Sequence, residues 1–186
     1  MAPRCSPFYL LSPPALLTVQ NLTTSLDTGL LYHDLDTTGS GGMPQLFANL
    51  TKNNSVSSVH GGTLWVDNVN KRFYLFGGEH YQQPPSPYYT LWSFDVLNNQ
   101  WVSSDAPSYI KSVSYGAGVS VSERGEGYYY GGWLSNNSVP DWSGPPVPTT
   151  GLIKYSMDTN TWSNGTGPDS VKRAEGAMVF IPIVST

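Results

Sequence analysis

The residues able to do chemistry are few and far apart. His33, His60 and His80 stand in different stretches of a 186-residue chain. No two have the i, i+4 or other short spacing from which metal ligands are commonly drawn, so each reads as an ordinary loop residue and no metal site is expected. Cys5 is the one cysteine, which rules out an intrachain disulfide. No G-x-S-x-G string marks a nucleophile, and no G-x-x-x-x-G-K-Ser/Thr string marks a phosphate loop. Glu79, Asp141 and other carboxylates are of the type that pairs for glycoside hydrolysis, a pairing defined by separation in space rather than in sequence. The expectation is a chain with no catalytic residues and no cofactor.

One further chemistry is written into the sequence. Five N-x-Ser/Thr sequons stand at Asn21, Asn49, Asn53, Asn136 and Asn164, where twelve asparagines in a Ser/Thr-rich chain would give roughly two or three by chance. The excess points to glycosylation, and so to the secretory pathway and a place outside the cell or on its surface. Unused sequons would leave a cytoplasmic protein. Residues 1–20 have the outline of a signal peptide, with Arg4 ahead of Phe8-Tyr9-Leu10-Leu11, but Pro7, Pro13 and Pro14 break the apolar run, which fits a mis-called start equally well. No run reaches the ~18 apolar residues of a membrane span. Charged residues make up 12% of the chain and the net charge is −4, with no basic patch to attract nucleic acid or an anionic membrane.

The elements that would position any site are short strands. Gly, Pro, Asn, Ser and Thr interrupt brief aromatic-rich runs, and no stretch sustains an apolar period of 3.6, so the class is all-β with little helix. Two such runs recur as a unit. Arg72-Phe73-Tyr74-Leu75-Phe76 ends in Gly77-Gly78, and Tyr128-Tyr129-Tyr130 ends in Gly131-Gly132. A glycine pair closing a strand implies close approach of another backbone. Upstream lie Gly61 to Asp67 and Gly116 to Val121; downstream, Phe94 stands seven residues before Trp101, and Tyr155 seven before Trp162. Arg173 to Ile181 opens a third unit.

On these residues the chain resembles the kelch repeat, in which each unit supplies one four-stranded blade of a β-propeller. The fungal kelch-type proteins and the propeller of galactose oxidase are its neighbours. The resemblance covers about residues 61–181. It implies blades at 61–115 and 116–172, a degenerate partial blade at 21–60 and the first strand of a further, truncated blade at 173–186. In each full blade the strands are Thr63–Asp67 or Ala117–Ser122, Phe73–Phe76 or Tyr128–Tyr130, Leu91–Asp95 or Leu152–Tyr155, and Gln100–Val102 or Thr161–Ser163. Trp101 and Trp162 are expected to pack blade on blade, and Asp95 to cap the turn after its strand. About three blades cannot close a ring that takes four to eight, so further C-terminal blades, an oligomer or a partner is expected to complete it.

Strand alternation sorts the loops. Turns 68–71, 96–99, 122–126 and 156–160 fall at one end of the blades, and the long segments 79–90, 103–115 and 133–150 at the other. Insertions on one face of a repeat protein mark its binding face. Glu79, His80, Tyr81, Tyr88, Tyr89, Trp133, Asp141 and Trp142 are the candidate contact residues for a protein or carbohydrate ligand, in a non-enzymatic scaffold. Two other readings follow from the resemblance: a cytoplasmic kelch adaptor, or a fragment of a copper radical oxidase. The latter would require two tyrosines, two histidines and a cysteine cross-linked to a tyrosine, and Cys5 lies outside the repeats.

Overall fold

The computed structural model describes residues 15–18, 30–38, 42, 44–50, 56, 59–80 and 90–182. The chain divides into two units, Met1–Ser55 and Val56–Thr186. In the first, β1 (Ala15–Thr18), β2 (Leu30–Thr38) and β3 (Pro44–Leu50) form an antiparallel sheet in that order. β2 and β3 fall within the segment read as a degenerate partial blade, and β1 falls inside the signal-like segment.

The second unit holds β4 (Val59–His60), β5 (Thr63–Asp67), β6 (Arg72–Phe76), β7 (Glu79–His80), β8 (Thr90–Asp95) and β9 (Gln100–Asp105). After these come β10 (Ala117–Val121), β11 (Glu126–Tyr130), β12 (Trp133–Leu134), β13 (Val147–Pro148), β14 (Gly151–Ser156) and β15 (Thr161–Thr166). Two four-stranded antiparallel sheets result, β5-β6-β8-β9 and β10-β11-β14-β15, each a meander in chain order. They are the two blades read from the repeats. The one described helix is a 3-10 turn, Ser122–Arg124, inside a predicted turn.

The turns at one end have a shared chemistry. Asp67 is fully buried and accepts from the backbone N–H of Asn70 at 2.9 Å. Asp95 accepts from the N–H groups of Leu97 and Asn98, each at 3.0 Å. Both are Asx-type turns in which a strand-terminal carboxylate replaces the missing ladder. The turns close on Lys71, Asn99 and Asn160, all at positive φ (56°, 52° and 50°), and the fourth closes on Gly125 at 59°.

Pleating divides each blade's side chains between two faces. One face of the first blade carries Trp65, Tyr74, Phe76 and Leu91; the facing surface of the second carries Tyr129, Ile153, Tyr155 and Trp162. Together they make one core. Trp65 is its centre, stacked on Phe76 at 4.6 Å and 5.9 Å from the Tyr155 ring, with its indole N–H donated to the Tyr128 carbonyl. The ring has room because position 127 is glycine: a β-carbon there would enter the indole. The repeat-equivalent residue in the first blade is Phe73. Two further bonds stitch the inner strands, Val66 N–H to the Ser120 hydroxyl (3.0 Å) and the Ser122 hydroxyl to Val66 C=O (2.8 Å).

The two repeat tryptophans differ in surroundings. Trp162 packs blade on blade, 5.5 Å from Phe76 and 6.1 Å from Trp65. Trp101 is only partly buried and packs within its own sheet, on Phe73 at 5.6 Å and Phe94 at 5.2 Å. The reason is geometric: Phe73, Phe94 and Trp101 share the face of the first blade turned away from the second.

The glycine pairs also have a physical account. Gly78 N–H donates to Val113 C=O at 2.9 Å, and Gly132 N–H to Arg173 C=O at 2.8 Å. A second bond accompanies each: Tyr115 N–H to Gly61 C=O (2.7 Å) and Glu175 N–H to Tyr115 C=O (2.6 Å). Residues 173–176 therefore repeat the linker geometry of 113–116, positive φ at Tyr115 and Glu175 included. Residues 173–182 form no strand, where the resemblance led to the first strand of a further blade.

Candidate functional site

The long-segment end of the second unit is built on paired short strands that the repeat pattern did not include. β4 pairs with β7, Val59 opposite His80 and His60 opposite Glu79. One blade on, Ser114 bridges Trp133, with Trp133 N–H donated to Ser114 C=O at 2.7 Å and Ser114 N–H returned at 3.1 Å. The chain then folds back as a ribbon, Trp133 opposite Pro148 and Leu134 opposite Val147. Segment 133–150 is thus a stiff arm with a folded tip.

Glu79 holds the base of this arm. One carboxylate oxygen accepts from the hydroxyls of Ser135 (2.8 Å) and Ser114 (3.2 Å), and the other lies 3.8 Å from His60 Nε2. Ser114 and Ser135 are buried, so the carboxylate satisfies hydroxyls that would otherwise lack strong acceptors. Ser135 and Ser138 bind each other reciprocally: Ser135 N–H donates to the Ser138 hydroxyl, which donates to Ser135 C=O. His80 joins through its backbone, donating to Asn137 C=O at 2.9 Å. Burial pushes the His80 imidazole below its usual range. His60 meets Tyr115 edge-on at 6.0 Å.

The arm's tip points its polar and aromatic groups outward. Asp141 is exposed at positive φ (57°), and Trp142 is partly exposed, its indole N–H donated to Pro145 C=O at 3.3 Å. Pro145 and Pro146 are exposed beside it. Of the candidate contact residues, Glu79 is structural at the base, while Trp133, Asp141 and Trp142 lie along one arm. Tyr81, Tyr88 and Tyr89 lie outside the described residues, as do Cys5, Asn21 and Asn53; Asn49 falls in β3. Asn136 and Asn164 are both exposed.

A second feature lies at the opposite end. A cleft of about 380 Å³ between the blades is lined by Asn70, Arg72, Tyr74, Met157 and Asp158. Its polar groups are engaged with one another: the Asn70 amide donates to Asp67 (2.7 Å) and across the blades to Asp158 (3.3 Å), and Arg72 pairs with Asp95 at 3.0 Å. The Asn70–Asp158 bond is a seam between the blades, and the other two lie within the first blade. Only the spacing of Asp and Asn in the turns could have hinted at them.

Among the described residues no group of three or more His, Cys, Asp or Glu is placed to hold a metal ion, and no helix is long and apolar enough to cross a membrane. No protein-family model matches the chain. A curated relative does: a kelch repeat-containing protein of Arthroderma benhamiae, 25% identical over 190 residues, an alignment taking in 80% of this chain and 28% of the relative. The chain therefore spans under a third of the length of that relative. Recurring glycine pairs, two four-stranded meanders joined by the same linker bonds, and this similarity are consistent with kelch-type repeats of a partial β-propeller.

Proposed function

We propose that this chain is a non-enzymatic binding or scaffold module that works outside the cell or at its surface. It engages a protein or carbohydrate through the arm 133–150. The observation that carries this reading is the division of labour at the arm. Its base is fixed by the Glu79–Ser135–Ser114 network, and its tip presents Asp141, Trp142 and two exposed prolines to solvent. A rigid support beneath an aromatic tip lowers the ordering cost of association, and partly exposed Trp is the side chain most often found to anchor contacts. Glu79 supports the same view, because a carboxylate committed to two buried hydroxyls positions a loop rather than moving protons.

The reading is tested by cross-linking the native protein in extract from its source and by retention on columns of β-glucan, mannan and chitin. Trp142→Ala should lower retention or cross-linking at least about tenfold, the scale of an interface anchor. Trp101→Ala, away from the arm, should leave it unchanged. Equal binding by wild type and W142A to every captured partner would remove the arm from consideration.

A further inference from the structure

We infer that Asn164 carries an N-linked glycan that shields the free edge of the second blade. β15 is the outermost strand of its sheet, paired with β14 on one side only. No described strand takes up its other row of backbone donors and acceptors. Such a row is a template for pairing with another chain, and proteins blunt it with charge, proline or a covering segment. Thr161–Thr166 has neither a charged residue nor a proline, and all of it except Trp162 is exposed. The matching strand of the first blade, β9, ends in exposed Asp105.

What β15 has instead is a sequon at its middle. Asn164 and Thr166 are two residues apart and so lie on one face of the strand, opposite Ile153 and Gly151. Gly151 has no side chain, and the Asn164 amide oxygen lies beside the space one would fill. The sequon at Asn136 is built differently: its Ser138 is fully buried, with its hydroxyl spent inside the loop. A hydrated, branched glycan in the middle of a six-residue edge keeps a second strand away by bulk, where a lysine does so by charge and a proline by its missing N–H. This inference rests on the secretory placement proposed above.

Tryptic cleavage after Arg124, Lys154 and Lys172 puts the two sequons on separate peptides, Gly125–Lys154 and Tyr155–Lys172. Mass spectrometry of protein from its source, before and after enzymatic glycan release, should find Tyr155–Lys172 glycosylated and Asn164 converted to Asp on release. A bare Asn164 beside a glycan at Asn136 would overturn the inference and leave secretion standing; bare asparagines at all five sequons would overturn both. The shielding role is read on full-length protein secreted from a eukaryotic host. Asn164→Gln should give a several-fold rise in aggregate by light scattering, and Asn164→Lys, which also lacks the glycan but puts charge on the edge, should return it to the wild-type level. Aggregation of both variants, or of neither, would refute edge shielding.

Discussion

The backbone N–H of Gly78 donates to the carbonyl of Val113 at 2.9 Å, while a β-carbon on the preceding Gly77 would stand well inside contact of that same oxygen. Gly77 is also at positive φ (69°), as is Gly131 (70°) in the equivalent place against Arg173. Gly77→Ala and Gly131→Ala should each cost roughly 2 kcal/mol or more in urea unfolding, combining left-handed strain with displacement of the linker. Gly144→Ala is the control. That glycine has positive φ but nothing within 4 Å of the added carbon, so its cost should be strain alone and smaller.

Trp65 and Trp162 share one cluster with Phe76 and Tyr155. Trp65→Ala should destabilise by about 3–5 kcal/mol, the range for truncating a buried aromatic. The double variant Trp65→Ala/Trp162→Ala should lose less than the two single losses combined, because the rings contact each other. Trp101→Ala, at a partly exposed ring, should cost less than either single change. Chemical denaturation of all four variants checks the ranking.

Tyr129 is fully buried, and its hydroxyl accepts the Gly116 N–H at 2.7 Å. Burial pushes its phenol up to about 12. Tyr129→Phe leaves that N–H without its acceptor and should cost about 1–3 kcal/mol. Because the folded state holds the proton more tightly than the unfolded chain, Tyr129 favours folding below the ordinary tyrosine range, and that contribution fades as pH rises through about 10 to 12. Burial also raises the Tyr155 phenol, so absorbance titration should show one fewer late-ionising tyrosine in the phenylalanine variant than in wild type.

Hydrogen bonds from Asn98, reinforced by Arg72, hold the Asp95 carboxyl below its usual range. A lowered folded value means that its contribution is complete above the unfolded value near 3.8 and is lost as pH falls through the folded one. Asp95→Asn should therefore reduce stability at neutral pH. The difference from wild type should shrink on acidification below about pH 4, as read from urea midpoints across that range.

The fold was legible where local chemistry repeats. The glycine pairs, the seven-residue step from Phe94 to Trp101 and from Tyr155 to Trp162, and the Asp95 turn each leave a pattern within a few residues, and all eight blade strands fall where that pattern puts them. The candidate site was harder to read. β7 and β12 have two residues each, too short for any period, and Glu79 meets Ser135 across 56 positions, a contact that no local pattern encodes. The bracing bonds of the Glu79 carboxylate to Ser135 and Ser114 leave no trace in local spacing. The repeats also gave Trp101 and Trp162 one role, since spacing does not tell which neighbour a blade face meets.

The linker bonds have a direction. Gly78 is capped by Val113, and Gly132 by Arg173, so each blade is fastened by residues made after its own last strand. On the ribosome the first blade would emerge complete in sequence yet still unlatched, and would be secured only once the start of its successor cleared the exit. Assembly then follows the order of synthesis, with every new unit acting as the bolt for the one before it.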